Sequence, residues 1–445
     1  MNRRQLDAKI WAIAWPAIIS NISIPLLGLV DAALLGHLGD PRHLAAVAVG
    51  GSILSFLYWG FSFLRMGTTG DVARAYGEGD DERALVAVGR AAVIAVSAAA
   101  LLLLLKQPLL EVGLTLMAPR ETIRQLAEGY AAIRLLSAPA VLLTYVAVGW
   151  FIGRQNTRWP MVILIATNVV NILLDALFIL GFDLASRGAA MATVCAEYAG
   201  LALAGYGLLR SGLPTLSAAT RRAIGNLRGL RSVLVSNSEL MIRTLTLLFA
   251  FAFFTAMGEN LGSSVVAANA VMMQFLLFSA FALDGFAYAA EGLAGEALGS
   301  GNPARFHQVT RRCALWTAAT AVLISALILL GRPLLFPQLT SIAEVLAVMQ
   351  AQGLWLVLMP LVSAPSYLLD GVFVGAGATR PMMLTMLFSA LVYLSTWYLG
   401  QPLGNHGLWL AFAVFNTVRG LTLGACYALI TRRDRWLRWS PDPAV

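Results

Sequence analysis

The chain has 445 residues, 59% of them hydrophobic and 12% charged, with a mean hydropathy of +0.75. A soluble globular domain is about 25% charged, so an ordinary cytoplasmic enzyme is excluded. The net charge of +8 invites a nucleic-acid-binding reading, which the placement of the basic residues removes.

A bilayer core about 30 Å thick needs about 20 apolar residues per helix. Twelve such stretches follow one another, at about 10–35, 44–66, 86–105, 126–151, 161–181, 188–209, 233–257, 266–290, 312–330, 345–372, 381–399 and 407–430. Backbone groups in lipid must bond internally. Runs such as Leu101 to Leu105 and Leu247 to Phe254 lack the in-and-out alternation of barrel strands, so helices are expected. The first stretch is longer than a signal-peptide core of roughly 7 to 15 residues and contains Asp31, so it stays as the first span.

That span also carries Pro16 and Pro25, each removing a backbone hydrogen bond and permitting a kink; His37 and Asp40 follow it. Arg134 lies in the fourth span. The fifth holds Asn168, Asn171 and Asp175, at spacings of three and four that place them on one helical face. Thr193 and Glu197 follow in the sixth, one turn apart. On the seventh, Glu239 and Arg243 are four apart and are expected to neutralise one another. Asp284, Tyr288 and Glu291 share a face of the eighth near its inner end, and Asp370 lies near the inner end of the tenth. These are second-lobe groups for a substrate or proton path, or acids at a wetted helix end. Arg419 and Arg134 are expected to snorkel or pair. Cys195, Cys313 and Cys426 lie in separate spans and read as small core residues.

With the N-terminus in the cytoplasm, the inner segments carry 22 of the 31 Lys and Arg, the outer loops six and the spans three. This positive-inside asymmetry, with twelve spans, puts both termini in the cytoplasm of a bacterial inner-membrane protein. The bilayer, not nucleic acid, is the expected partner of the basic residues.

A shift of 222 positions superimposes the two halves. Ala45 to Val49 falls on Ala267 to Val271, Gly77 to Asp80 with Arg83 falls on Gly299 to Asn302 with Arg305, and Gly153 and Thr157-Arg158 fall on Gly375 and Thr379-Arg380. After a one-residue slip Pro160-Met161 falls on Pro381-Met382. The shared offset marks an internal repeat. Six spans begin and end on one side, so the copies enter the membrane in the same orientation. The expected fold is an all-α polytopic membrane protein, with twelve transmembrane helices in two six-helix lobes related by a parallel pseudo-two-fold repeat. The expected boundaries are 1–209 for the first lobe, 210–232 for a basic cytoplasmic linker containing Pro214, and 233–445 for the second lobe.

Ionisable groups inside a membrane are costly and are functional candidates by default. The first and fifth spans both run outward, and Asp31 and Asp175 both approach their outer ends, so they can converge at one depth. An antiparallel hairpin places Thr193 level with Asp175. Carboxylate, amide and hydroxyl oxygens are hard ligands suited to Na⁺, and two buried acids can instead take up a proton. The repeat offers a control. Asp31 maps to Phe253, Asn171 to Val392, Asp175 to Thr396 and, after a further slip, Thr193 to Phe412. A cluster needed merely to build the bundle would be needed twice, so the asymmetry favours a cation site in the first lobe.

No GxxxxGK[ST] phosphate loop is present, His37, His43, His307 and His406 lack zinc spacing, and no GxSxG elbow occurs. No enzyme activity, cofactor or obligate protein partner is inferred. Secondary transport of a small organic molecule remains.

These residues resemble the multidrug and toxic compound extrusion family over nearly the whole chain. The likeness rests on the twelve spans in two lobes, Pro16 and Asp31 in the first helix, the Asn171/Asp175 pair, Thr193, and the Gly377 to Pro381 turn. It implies export of amphipathic, often cationic compounds in exchange for H⁺ or Na⁺, by rocking between outward-open and inward-open states. By the same likeness Asp31, Asn171, Asp175 and Thr193 would bind the coupling cation, and protonation of Asp31 would bend the first helix at Pro16. Glu197, Asp284 and Asp370 stand as secondary candidates. The competing readings are a lipid-linked precursor flippase of the same superfamily, which calls for a large basic cavity, and a non-transporting membrane scaffold.

Overall fold

A computed structural model of the chain describes residues 2–36, 40–212, 217–433 and 435–439, excepting the side chains of 25–27, 29, 31, 32, 438 and 439. His37 and Pro214 lie outside the described residues, as do the side chains of Pro25 and Asp31.

The apolar stretches are helical, as backbone self-satisfaction in lipid requires. In chain order they are α1 (Arg3–Gly36), α2 (Pro41–Gly60), α3 (Phe63–Glu78), α4 (Asp81–Leu104), α5 (Lys106–Met117), α6 (Glu121–Arg134), α7 (Ala138–Gly153) and α8 (Arg158–Asp175). Then come α9 (Ala185–Arg210), α10 (Ala218–Ile224), α11 (Leu227–Asn260), α12 (Ser263–Gly299), α13 (Pro303–Leu339), α14 (Ala343–Ala376), α15 (Thr379–Gly400) and α16 (Asn405–Arg432). Among the described residues no strand occurs, and eleven helical stretches are long and apolar enough to cross a bilayer, α2 with α3 and α6 with α7 each forming one. At 34 residues, α1 supplies the twelfth long helix.

Two compact units result, Ile19–Asn237 and Met1–Ile18 with Ser238–Val445. The division falls inside α1, two residues after the buried Pro16. The early turns of α1 belong with the second-lobe helices because polar groups hold them there. Asp7 accepts from Arg312 Nε at 2.8 Å and from Trp316 Nε1 at 3.1 Å, and Lys9 lies 3.5 Å from Glu296. The short α10 sits in the first-lobe unit, where the Ser217 hydroxyl caps it and bonds Glu82 of α4 at 3.1 Å.

The repeat is built into the backbone. Helices α2, α4 and α6 begin at 41, 81 and 121, and α12, α13 and α14 begin 222 residues later at 263, 303 and 343. The offset falls to 221 between α8 and α15 and to 220 at the starts of α9 and α16, where turns absorb the difference. Corresponding caps are chemically alike. Asp80 accepts from the Arg83 amide at 2.8 Å, and Asn302 from the Arg305 amide at 2.9 Å, each closing an otherwise orphaned helix N–H. Corresponding close approaches recur as well. A Cβ on Gly153 would stand 2.9 Å from the Thr69 carbonyl oxygen, and one on Gly375 would stand 2.5 Å from that of Glu291, so both positions exclude a side chain.

Candidate functional site in the first lobe

Helices α8 and α9 form an antiparallel hairpin closed by a π-helical turn, Ala176–Gly181, directly after Asp175. Such turns widen the backbone and are frequent at functional sites. The expected face of α8 is turned inward: Asn168 is buried, and Asn171 and Asp175 are each 0% exposed. Thr193 of α9 is buried beside them. Asn171 Nδ2 donates to Thr193 Oγ1 at 3.3 Å, while the Thr193 hydroxyl donates to the Ala189 carbonyl at 2.8 Å. With its proton used, the Thr193 oxygen faces Asn171 as an acceptor. Asn171 Oδ1 is buried and has no hydrogen-bond partner among the described residues. An oxygen left this way costs about 1–3 kcal/mol unless a donor or a cation fills its lone pairs.

Asn168 reaches the opposite way. Its Nδ2 donates to the Ser23 carbonyl at 3.3 Å and approaches Ser23 Oγ at 3.4 Å, docking α1 against α8. In the sequence Ser23 carries no signal beyond that of a small polar residue in an apolar helix. The contact fixes a register: Asp31 lies eight residues beyond Ser23 on α1, and Asp175 seven beyond Asn168 on α8. At 1.5 Å per residue these are about 12 and 10 Å, so in helices running the same way their backbones reach a common depth. The Asp31 side chain itself lies outside the described ones. Asn171 and Thr193 are thus brought into contact, with Asp175 one turn further along the same buried face.

The matching place in the second lobe is filled by rings. Phe253, counterpart of Asp31, packs edge-on to Tyr393 with centroids 5.4 Å apart, and Tyr393 lies 6.2 Å from Phe412, counterpart of Thr193. Thr396, counterpart of Asp175, spends its hydroxyl on the Val392 carbonyl of its own helix at 2.8 Å.

The second-lobe charges differ from expectation. Arg243 does not pair with Glu239; it donates to Asp370, while Glu239 accepts from Thr379. The spacing of four permitted the helical pair, but a buried carboxylate on α14 is the stronger partner for a guanidinium taken out of water. Arg419 donates to the same Asp370 oxygen, Oδ2, and is 1% exposed, so it is paired in the interior and not snorkelling. Its guanidinium also lies 5.6 Å from the ring of Tyr367. Asp284 is half-buried within the field of Arg243. In the first lobe, Glu197 is half-buried within the field of Arg134 at the end of α6.

A family model described as MatE matches residues 16–177 and 240–399, one segment in each lobe. The chain belongs to this family, the multidrug and toxic compound extrusion (MATE) transporters, as a multi-pass membrane protein. Within the family it falls in the branch of DNA damage-inducible protein F: it is 38% identical to that Escherichia coli protein over 431 residues, covering 97% of this chain and 94% of the relative. It is 24% identical to the probable multidrug resistance protein NorM of Thermotoga maritima, over 89% of this chain and 85% of that one. Among solved structures it resembles a MOP superfamily transporter from Pyrococcus furiosus, at 18% identity and a TM-score of 0.87 over 97% of this chain and 96% of that one. It also resembles the Vibrio cholerae MATE transporter VcmN in its bent form, at 24% identity and a TM-score of 0.82 over 98% and 99% of the two chains. These likenesses show the fold.

Proposed function

We propose that the chain is a secondary active multidrug exporter of the bacterial inner membrane, with both termini cytoplasmic, that exchanges amphipathic or cationic organic compounds for H⁺ or Na⁺ by alternating access. The observation that carries this reading is the buried Asn171 amide oxygen without a partner among the described residues, beside the Thr193 hydroxyl and one turn before the buried Asp175. Such a set of oxygens suits a small hard cation. Asp31, Asn171, Asp175 and Thr193 are the proposed ligands, and Pro16 is the proposed hinge, because α1 passes from one unit to the other just beyond it.

Glu197 is the secondary group of the same lobe, one turn beyond Thr193. In the second lobe Asp370 is held by two guanidinium groups and Asp284 lies in their field, which supports confining ion loading to the first lobe. The family and the relatives named for multidrug resistance support export of organic compounds. The test is efflux of a fluorescent organic cation from proteoliposomes under pH and Na⁺ gradients imposed separately. One gradient is expected to drive efflux and Asp175→Asn to abolish it; efflux unchanged in Asp175→Asn and Asp31→Asn would reject the mechanism.

A further inference from the structure

The second-lobe unit contains a cavity of about 260 Å³ between α12 and α13. Phe275, Phe278, Leu327, Ile328 and Phe336 line it together with Arg332, which is the one charged residue in the lining. Phe278, Leu327 and Leu335 are exposed at its mouth.

The repeat shows what differs at this place between the lobes. In the first lobe the position matching Leu335 is Gly113 and that matching Phe275 is Ile53. Helix α5 there closes onto α2 so tightly that a Cβ on Gly113 would stand 2.8 Å from Ile53 Cγ2. In the second lobe Leu335 and Phe275 replace them, and Phe275 packs against Phe336 with centroids 6.4 Å apart, propping the helices open. Pro333 and Pro337 inside α13 each remove a backbone hydrogen bond, which lets the helix bend away at this point. Arg332 has a place made for it as well. Its Nη1 lies 3.1 Å from where a Cβ on Gly353 of α14 would be, so the glycine lets the guanidinium lie close against that helix. The first-lobe counterpart of Arg332 is Leu110.

An apolar groove between two membrane-spanning helices suits a lipid chain, and a guanidinium in its lining favours an anionic oxygen. Arg332 is seven residues, about 10 Å, before the end of α13, the depth at which a headgroup would sit, and the lining runs back to Ile324, about 12 Å along the helix. We infer that this groove binds an anionic phospholipid, with an acyl chain against Phe275, Phe278 and Leu327 and the headgroup phosphate on Arg332. The site is separate from the proposed cation site and does not depend on it.

The test uses the full chain purified in detergent, titrated with phosphatidylglycerol or phosphatidylcholine of equal chain length and read by native mass spectrometry. The wild type is expected to retain phosphatidylglycerol about fivefold more tightly, the factor for one basic side chain at an anionic surface. Arg332→Gln is expected to reduce that to the phosphatidylcholine level, and Arg332→Lys to keep most of it. Ala282→Trp, which fills the apolar part, is expected to lower retention of both lipids. Equal retention of the two lipids by the wild type, a preference that survives Arg332→Gln, or retention untouched by Ala282→Trp would each overturn the assignment.

Discussion

Asn171 on α8 donates from Nδ2 to Thr193 Oγ1 on α9 at 3.3 Å, so the amide is oriented with its oxygen turned away from its only described partner. This single bond decides which end of the amide is offered to a ligand. Thr193→Val keeps the shape and removes the acceptor. It frees the amide to rotate, and the apparent affinity for the driving ion is expected to fall about tenfold, the equivalent of one lost buried hydrogen bond of about 1.4 kcal/mol. Efflux rates measured against ion concentration check this, and an unchanged half-saturation point would show that the hydroxyl does not position Asn171.

Asp370 accepts from two buried arginines on two other helices, α11 and α16. Asp370→Asn removes the carboxylate to which both buried guanidinium groups donate, at a cost of about 3–5 kcal/mol for a broken buried pair. A clear drop in the thermal unfolding midpoint in detergent is expected. Asp284→Asn, whose carboxylate is half-buried, is expected to cost less; equal melting of Asp370→Asn and wild type would dismiss the clamp.

At the start of α1, the Arg312 guanidinium bonded to Asp7 holds its carboxyl below the ordinary carboxylate range, with Trp316 adding to the effect. A carboxyl depressed on folding contributes stability above its unfolded value and loses it as pH falls through the folded one. The anchoring of the early α1 turns is therefore expected to be intact at neutral pH and to weaken in acid below about pH 4. Hydrogen exchange of residues 3–15, which should quicken in Asp7→Asn at pH 7 and in the wild type at low pH, measures it; identical exchange in both proteins at pH 7 would show the contact is idle.

The aromatic twin of the site gives a further expectation. Phe412→Thr removes a buried ring and is expected to destabilise by about 3–5 kcal/mol, yet to leave the ion dependence of efflux where it was. A shift in that dependence would show that the second lobe takes part in ion binding.

Much of the fold was open to reading in the sequence, because spans of apolar residues in lipid can only be helices and because Gly77 to Asp80 and Gly299 to Asn302 repeat the same cap chemistry. The polar face of α8 was equally plain, since spacings of three and four fix a helical face without tertiary knowledge. Pairings between helices were not. Glu239 and Arg243 satisfy the local rule, but Arg243 lies nearer a carboxylate 127 residues away, and nothing in local spacing encodes that. Ser23, likewise, gains its role only when α1 lies against α8.

The rings that occupy Phe253, Tyr393 and Phe412 bear on energy conversion by the proposed exporter. A carrier that loads its driving ion in the first half alone, as proposed, runs at a fixed gear, loading at a single place in each turnover. The steepness of the solute gradient it can sustain is then set by that one ratio, whichever compound is carried.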